Sequence, residues 1–312
     1  MNAPKRWRRW LLWGGTSLLT LLCITALYLH FVPQSPVKAF IKKQIPVLTQ
    51  ESDNYLTRTY VSPAGFQMTY YLYVPANYNP TQAYPVVLLL HGGGERATKG
   101  KTAAQNREVL MRQAYVQVWG PGYPANGKYS PNVQQHWPSF IVVPQVVNPS
   151  QWVDIPAWHG SYTLAPQPTP QLEAAMEILN LVQQQYHIDP HRRYITGLSM
   201  GGYGVWDAIE RWPNYFAAAA PLAGAGDPAL AARLVKLPIW AFHGTKDNVV
   251  PVSGSRDMIQ AIEAAGGHPR YTEFPQSGHE IWDKVYATMN GPSPVPDFFS
   301  WLFSQRNPSP SM

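Results

Sequence analysis

Short apolar, β-branched runs recur along this chain and alternate with longer amphipathic stretches. Residues 85–90 (PVVLLL) and 140–143 (FIVV) show no polar alternation at all. A strand that is apolar at every position must be covered on both faces, as in a parallel sheet held between helices. Residues 193–197, 216–222, 238–243 and 270–274 repeat the strand pattern. Between them, residues 170–186 carry Leu172, Ala175, Met176, Leu179 and Val182, the spacing of one helical face. Residues 201–212, 228–235 and 253–265 read as further helices, the first stopped by Pro213 and the last by Gly266-Gly267. This alternation predicts an α/β fold with a mostly parallel central sheet and helices on both faces. Residues 56–61 and 66–74 flank the turn sequence Ser62-Pro63-Ala64-Gly65, so the sheet is expected to open with an antiparallel hairpin. Residues 99–138 are the least regular, with one helix expected over 106–118 and a Gly/Pro/Asn-rich loop after it.

The chain has 312 residues, 45% hydrophobic and 13% charged, which supplies a large core and excludes a disordered chain. Its net charge of +6 is unevenly spread. Residues 1–50 hold seven basic side chains (Lys5, Arg6, Arg8, Arg9, Lys38, Lys42, Lys43) and no acidic one, which leaves 17 basic against 18 acidic residues beyond them. The folded part is therefore neutral and lacks the basic footprint of a nucleic-acid binder. The single cysteine, Cys23, allows no intrachain disulfide, redox pair or cysteine zinc site.

The basic cluster KRWRR at 5–9 precedes residues 10–32, which carry no charged side chain other than His30. That length spans the hydrocarbon core of a bilayer, and the flanking cations keep the N-terminal end cytoplasmic. Residues 1–32 are thus expected to be a transmembrane anchor, residues 33–50 a proline- and lysine-containing stalk, residues 51–306 a catalytic domain and residues 307–312 a tail. The domain would then lie outside the cytoplasm, periplasmic or extracellular. The alternative is secretion after signal cleavage, which needs a shorter apolar core and small residues at its exit. Here the exit is bulky, with Tyr28, His30 and Phe31.

The strongest chemical motif is Gly197-Leu198-Ser199-Met200-Gly201, with a strand before it and a helix after it. A G-x-S-x-G string in that setting makes a sharp turn that lifts the serine hydroxyl clear of the sheet, with glycines where neighbouring backbones crowd it. A serine hydroxyl needs a base, and the base needs an orienting carboxylate. Downstream, His279 sits in the loop after the last strand, before a helical stretch expected over 281–289. It is the expected base. His243 ends an apolar strand and reads as a packed, hydrogen-bonded histidine, and His268 as a surface residue. Asp247 follows the penultimate strand and is the expected acid, ahead of Asp227, Asp257 and Asp283.

A tetrahedral intermediate needs N–H donors for its oxyanion. The backbone of Met200, next to the serine, is one candidate. The other lies in His91-Gly92-Gly93-Gly94 after the first central strand, with Gly93 preferred over Gly94. Trp152 and Trp158, in loops before the serine turn, are candidates for an apolar substrate pocket. No metal-ligand constellation appears, His187 and His191 reading as surface residues around a turn, and no phosphate-cradling glycine pattern follows a strand. No metal or cofactor is expected.

With these residues, the chain resembles the bacterial esterase and predicted-peptidase group within the prolyl-oligopeptidase-like α/β-hydrolases. Feruloyl esterases, polyhydroxybutyrate depolymerases and dienelactone hydrolases are its broader relatives. The likeness covers roughly residues 60–303 and rests on LLLHGGGER (88–96), FIVVPQ (140–145), IDPHRRYITGLSMGGYGVWDAI (188–209), PIWAFHGTKDNVVPVSGSRDM (238–258) and YTEFPQSGHEIWDKVY (271–286). It implies the α/β-hydrolase fold, a Ser199–Asp247–His279 triad and an oxyanion hole from Gly93 and Met200. The expected reaction is hydrolysis of small-molecule or polymeric carboxylic esters through an acyl-enzyme. A peptidase or an acyltransferase would use the same triad. Residues 99–138 match the group least well.

Overall fold

The computed structural model describes residues 54–120, 131–155, 158–289 and 291–311. The anchor and stalk expected over 1–50 lie outside them. Among the described residues, no helix is long and apolar enough to cross a membrane. The fold belongs to the compact unit Thr49–Met312.

The elements follow in the order β1 (Tyr55–Val61), β2 (Gln67–Tyr73), β3 (Tyr84–Leu90), a 3-10 turn (Gly93–Glu95), α1 (Ala103–Met111), α2 (Ala114–Gln117), α3 (Val133–His136) and β4 (Phe140–Gln145). Next come α4 (Pro170–Gln185), β5 (Ile188–Leu198), α5 (Met200–Arg211), β6 (Ala218–Leu222) and a 3-10 segment (Pro228–Leu234). The chain continues with β7 (Trp240–Gly244), α6 (Ser253–Ala264), β8 (Arg270–Phe274), α7 (Trp282–Val285) and α8 (Phe298–Ser304).

The eight strands form one sheet in the order β1-β2-β4-β3-β5-β6-β7-β8. The β1–β2 and β2–β4 pairs are antiparallel, and every pair from β4–β3 onward is parallel. The opening hairpin and the mostly parallel sheet are therefore as the sequence pattern predicts. Apolar residues cover both faces: Val86, Leu88 and Leu90 of β3 enter one core cluster, while Val87 and Leu89 enter the other. Phe140 and Val142 of β4 divide from Ile141 and Val143 in the same way. Strands so covered cannot slip by one residue without exchanging their two faces.

Three helical expectations need correction, and one helix was not expected. The single helix over 106–118 is two, α1 and α2, because the backbone of Gln113 is extended (φ −68°, ψ 129°). The start lies earlier than expected, since Thr102 and Gln105 form a reciprocal capping box. The helix over 281–289 stops at Val285, and Ala287 adopts a left-handed conformation (φ 56°) that no helix can propagate. The segment Pro228–Leu234 is 3-10 rather than α-helical, capped by the Asp227 carboxylate on the N–H of Ala229. Finally α8, to which no pattern pointed, buries Phe298, Phe299, Leu302 and Phe303, a face at helical spacing hidden within an aromatic-rich run.

Candidate active site

A parallel sheet brings its carboxyl ends to one edge, and ligands bind beyond that edge where loops diverge. β3, β5, β7 and β8 all lie in the parallel part of the sheet. The loop holding Gly93 follows β3, Ser199 follows β5, Asp247 follows β7 and His279 follows β8.

Ser199 sits between the last residue of β5 and the first of α5, with φ 55° and ψ −121°. A non-glycine residue in that region is strained by about 1–3 kcal/mol and persists only where its surroundings dictate it. Here they do. The N–H of Ser199 donates to the Leu222 carbonyl at 2.9 Å, which ties the turn to the end of β6. A Cβ at Gly201 would be driven into the carbonyl of Leu90, and one at Gly197 would come within 2.7 Å of the same oxygen. Glycine is needed at both because β3 passes directly beneath the turn.

The Ser199 Oγ lies 2.8 Å from His279 Nε2, and His279 Nδ1 lies 2.7 Å from Asp247 Oδ2. The structure thus brings together the three side chains that the sequence separates by 80 residues. The N–H groups of Val249 and Val250 both donate to Asp247 Oδ1 at 2.9 Å. Burial raises the Asp247 pKa, but donors from His243, His279, Val250 and Val249 outweigh it and hold the carboxyl well below the usual carboxylate range. Asp247 is therefore a buried carboxylate, with its negative charge beside the imidazole.

His91 directly follows β3 and is buried and neutral. Its Nε2 accepts from the N–H of Val146 at 3.0 Å, so its Nδ1 carries the hydrogen, which it donates to the Gly92 carbonyl at 2.6 Å. Burial lowers its pKa to about 4. Beyond it, Gly93 is half-buried at the start of the 3-10 turn, and its carbonyl accepts from Arg96 Nε at 2.9 Å. Met200 is the first residue of α5, where helical N–H groups lack intrahelical acceptors.

The two tryptophans part company. Trp152 is 0% exposed, its Nε1 donates to the His91 carbonyl at 3.0 Å, and its ring meets the His91 ring edge-on at 5.3 Å. It lines no open pocket, and the expectation that it does is corrected: it braces the loop after β3 from beneath. Trp158 is half-buried and packs edge-on against Tyr203 of α5 at 5.2 Å. Sequence reasoning overlooked Trp282, half-buried with its ring edge-on to His279 at 5.6 Å, and Val249, which is 50% exposed two residues after Asp247. Only their nearness to His279 and Asp247 along the chain could have drawn attention to them. Asp227 caps its 3-10 segment, Asp257 accepts from Ser161 Oγ at 2.8 Å, and Asp283 accepts from the Thr288 hydroxyl, so none of these carboxylates faces Ser199 through His279. Among the described residues, no group of three or more metal-ligating side chains converges.

The model of the Esterase family, described as "Putative esterase", matches residues 63–285. The bifunctional acetylxylan esterase/xylanase of Neocallimastix patriciarum is 32% identical over 91 residues, which is 29% of this chain and 14% of that protein. A solved structure described as a thermostable esterase superposes with a TM-score of 0.65 at 35% identity, covering 81% of this chain and 64% of that one. A mutant feruloyl esterase module from Clostridium thermocellum, complexed with sinapinate, gives a TM-score of 0.55 at 15% identity, covering 84% and 93% of the two chains. At that identity the likeness is one of fold. The α/β-hydrolase fold read from the sequence is the fold of these neighbours. Because the family model covers well over half of the 312 residues, the chain belongs to the Esterase family.

Proposed function

We propose that this protein hydrolyses carboxylic esters by two-step acyl transfer, with Ser199 as nucleophile, His279 as general base and Asp247 as the group that orients the imidazole. The observation that carries the proposal is the unbroken relay from Ser199 Oγ to His279 Nε2 at 2.8 Å and from His279 Nδ1 to Asp247 Oδ2 at 2.7 Å. Both distances allow proton transfer without rearrangement. His279 takes the proton from Oγ as the hydroxyl attacks the ester carbonyl, then returns it to the departing alcohol. A water activated by the same imidazole releases the acid. The buried Asp247 carboxylate accepts from Nδ1–H, which leaves Nε2 free to face Ser199 and stabilises the imidazolium that forms.

The oxyanion would be held by the N–H groups of Met200 and Gly93. A pair of such donors contributes several kcal/mol in a water-poor site. Trp282, edge-on to His279 at 5.6 Å, supplies apolar surface beside the base, which favours ester groups with an apolar acyl or alcohol part. Acetylxylan and feruloyl esters are the substrate classes that the relatives' names bring forward. Residues 1–32 would anchor the domain to a membrane with the site outside the cytoplasm, a reading supported by the charge-free run at 10–32.

One experiment on the full chain tests both parts. Activity towards 4-nitrophenyl acetate should sediment with membranes and resist an alkaline wash, and Ser199→Ala should abolish it while leaving thermal unfolding unchanged. Turnover retained by Ser199→Ala would overturn the mechanism, and activity released by the wash would overturn the anchor.

A further inference from the structure

Two histidines stand against Asp247. Besides His279, His243 on β7 places its Nε2 3.2 Å from the same oxygen, Oδ2, and both side chains of that pair are fully buried. The hydrogen bond of the same Nε2 goes to the Val250 carbonyl at 3.0 Å, so its N–H is shared between that acceptor and the carboxylate oxygen beside it. A carbonyl oxygen and an ionised carboxylate can only accept, so Nε2 must carry a hydrogen. On the far side of the ring, Nδ1 lies 2.8 Å from Ser255 Oγ on α6, and that hydroxyl is 3.2 Å from the carbonyl of Gly224. His243 is thus locked between α6 and the acid, with no room to turn away.

We propose that His243 is a positioning residue that, through the N–H it holds 3.2 Å from Asp247 Oδ2, sets how tightly the acid holds the proton of His279. This rests on the triad reading of Ser199, His279 and Asp247. The two backbone N–H groups on Oδ1 keep the carboxylate in place by themselves, so the part left to His243 is electrostatic. A donor on Oδ2 withdraws negative charge from the oxygen that stabilises the His279 imidazolium. The imidazolium that forms on His279 is then held less tightly than it would be by a carboxylate without that neighbour. The other ionisable groups nearby are turned elsewhere. Tyr203 of α5 gives its hydroxyl to the His159 carbonyl, and Glu273 of β8, in register with His243, is held by Arg256 of α6 at 2.6 and 2.7 Å. Lys246, in the same loop as Asp247, is exposed.

The test compares two amides at position 243 in the full chain. The glutamine amide reaches the position of Nε2, so His243→Gln keeps a donor on Asp247. The asparagine amide reaches only the position of Nδ1, so His243→Asn keeps the contact with Ser255 and loses the one with Asp247. The acid limb of kcat/KM for 4-nitrophenyl acetate reports the proton on His279. It should move up by about one pH unit in His243→Asn, stay within a few tenths of the wild type in His243→Gln, and leave KM unchanged in both. A purely structural role would lower stability in both variants and move neither limb, so superposed profiles for Asn and Gln would overturn the proposal. Ser199→Ala measured alongside separates the two readings: activity surviving there removes the triad itself, whereas an inert Ser199→Ala with superposed profiles removes only the role of His243. Should His243→Asn fail to fold, long-range proton–nitrogen NMR of the wild type decides, since a His243 ring protonated on Nδ1 alone would also overturn it.

Discussion

The turn at Ser199 and the loop after β3 face each other across the candidate site, yet they are built on different principles. The serine turn is shaped by backbone against backbone: Gly197 and Gly201 pack on the Leu90 carbonyl, and the Ser199 N–H reaches Leu222. The loop after β3 is shaped by side-chain tethers, some its own and some from elsewhere. Gln145 Nε2 donates to the Glu95 carbonyl at 2.9 Å, Arg96 NH1 reaches the Pro149 carbonyl at 3.2 Å, and Trp152 and His91 brace the loop from beneath. A turn made by exclusion tolerates no added atom. A loop made by tethers should loosen one tether at a time.

The sharpest way to break this contrast is Gly201→Ala. Its methyl group would meet the Leu90 backbone, which cannot yield without displacing the central strand, so a loss of about 4 kcal/mol or more in urea unfolding is expected. A loss below about 1 kcal/mol would show that the turn has slack and that the contrast is wrong.

On the other side, His91 predicts an acid sensitivity. Its folded pKa is lowered from 6.5 to about 4, so between those values the unfolded chain binds more protons and stability rises with pH. The stabilisation is complete above pH 6.5 and is lost as pH falls towards 4, by about 2 kcal/mol at pH 5. The side chain in His91→Gln cannot take up a proton, so the His91 share of the slope, about 2 kcal/mol between pH 7 and 5, should be missing from this variant. An undiminished slope would place the sensitivity elsewhere.

The smallest effect is expected of Trp152→Phe, which removes the indole N–H and leaves the buried His91 carbonyl unpaired. It should cost about 1–2 kcal/mol of stability and lower kcat severalfold with little change in KM. If kcat were unaffected, the loop would not depend on this tether for its catalytic placement.

The same contrast explains how much could be read beforehand. The turn was legible because its demands fall on consecutive residues, with Gly197, Ser199 and Gly201 between a strand and a helix. Strands β3 and β4 were legible because continuous apolar runs have few other uses. Trp152 reads as a pocket residue in the sequence because its role depends on the His91 carbonyl, 61 residues away. Apolar spacing predicts too long a helix over 281–289 because it carries no warning of the left-handed Ala287. His243 was read as a packed, hydrogen-bonded histidine, and it is one. What its place at the end of an apolar strand does not disclose is that its Nε2 stands 3.2 Å from Asp247 Oδ2.

The sequence by itself determined the order of strands and helices, the chemical types at the site and the strand end on which each sits. Periodicity and turn chemistry are local properties, and a parallel sheet brings its carboxyl ends to one edge. Only the tertiary structure decided which aromatic side chains lie open beside His279 and which are entombed. It alone decided that one oxygen of Asp247 is shared between two histidines. Those facts depend on distances between elements far apart in the chain, and packing sets such distances where no local pattern does.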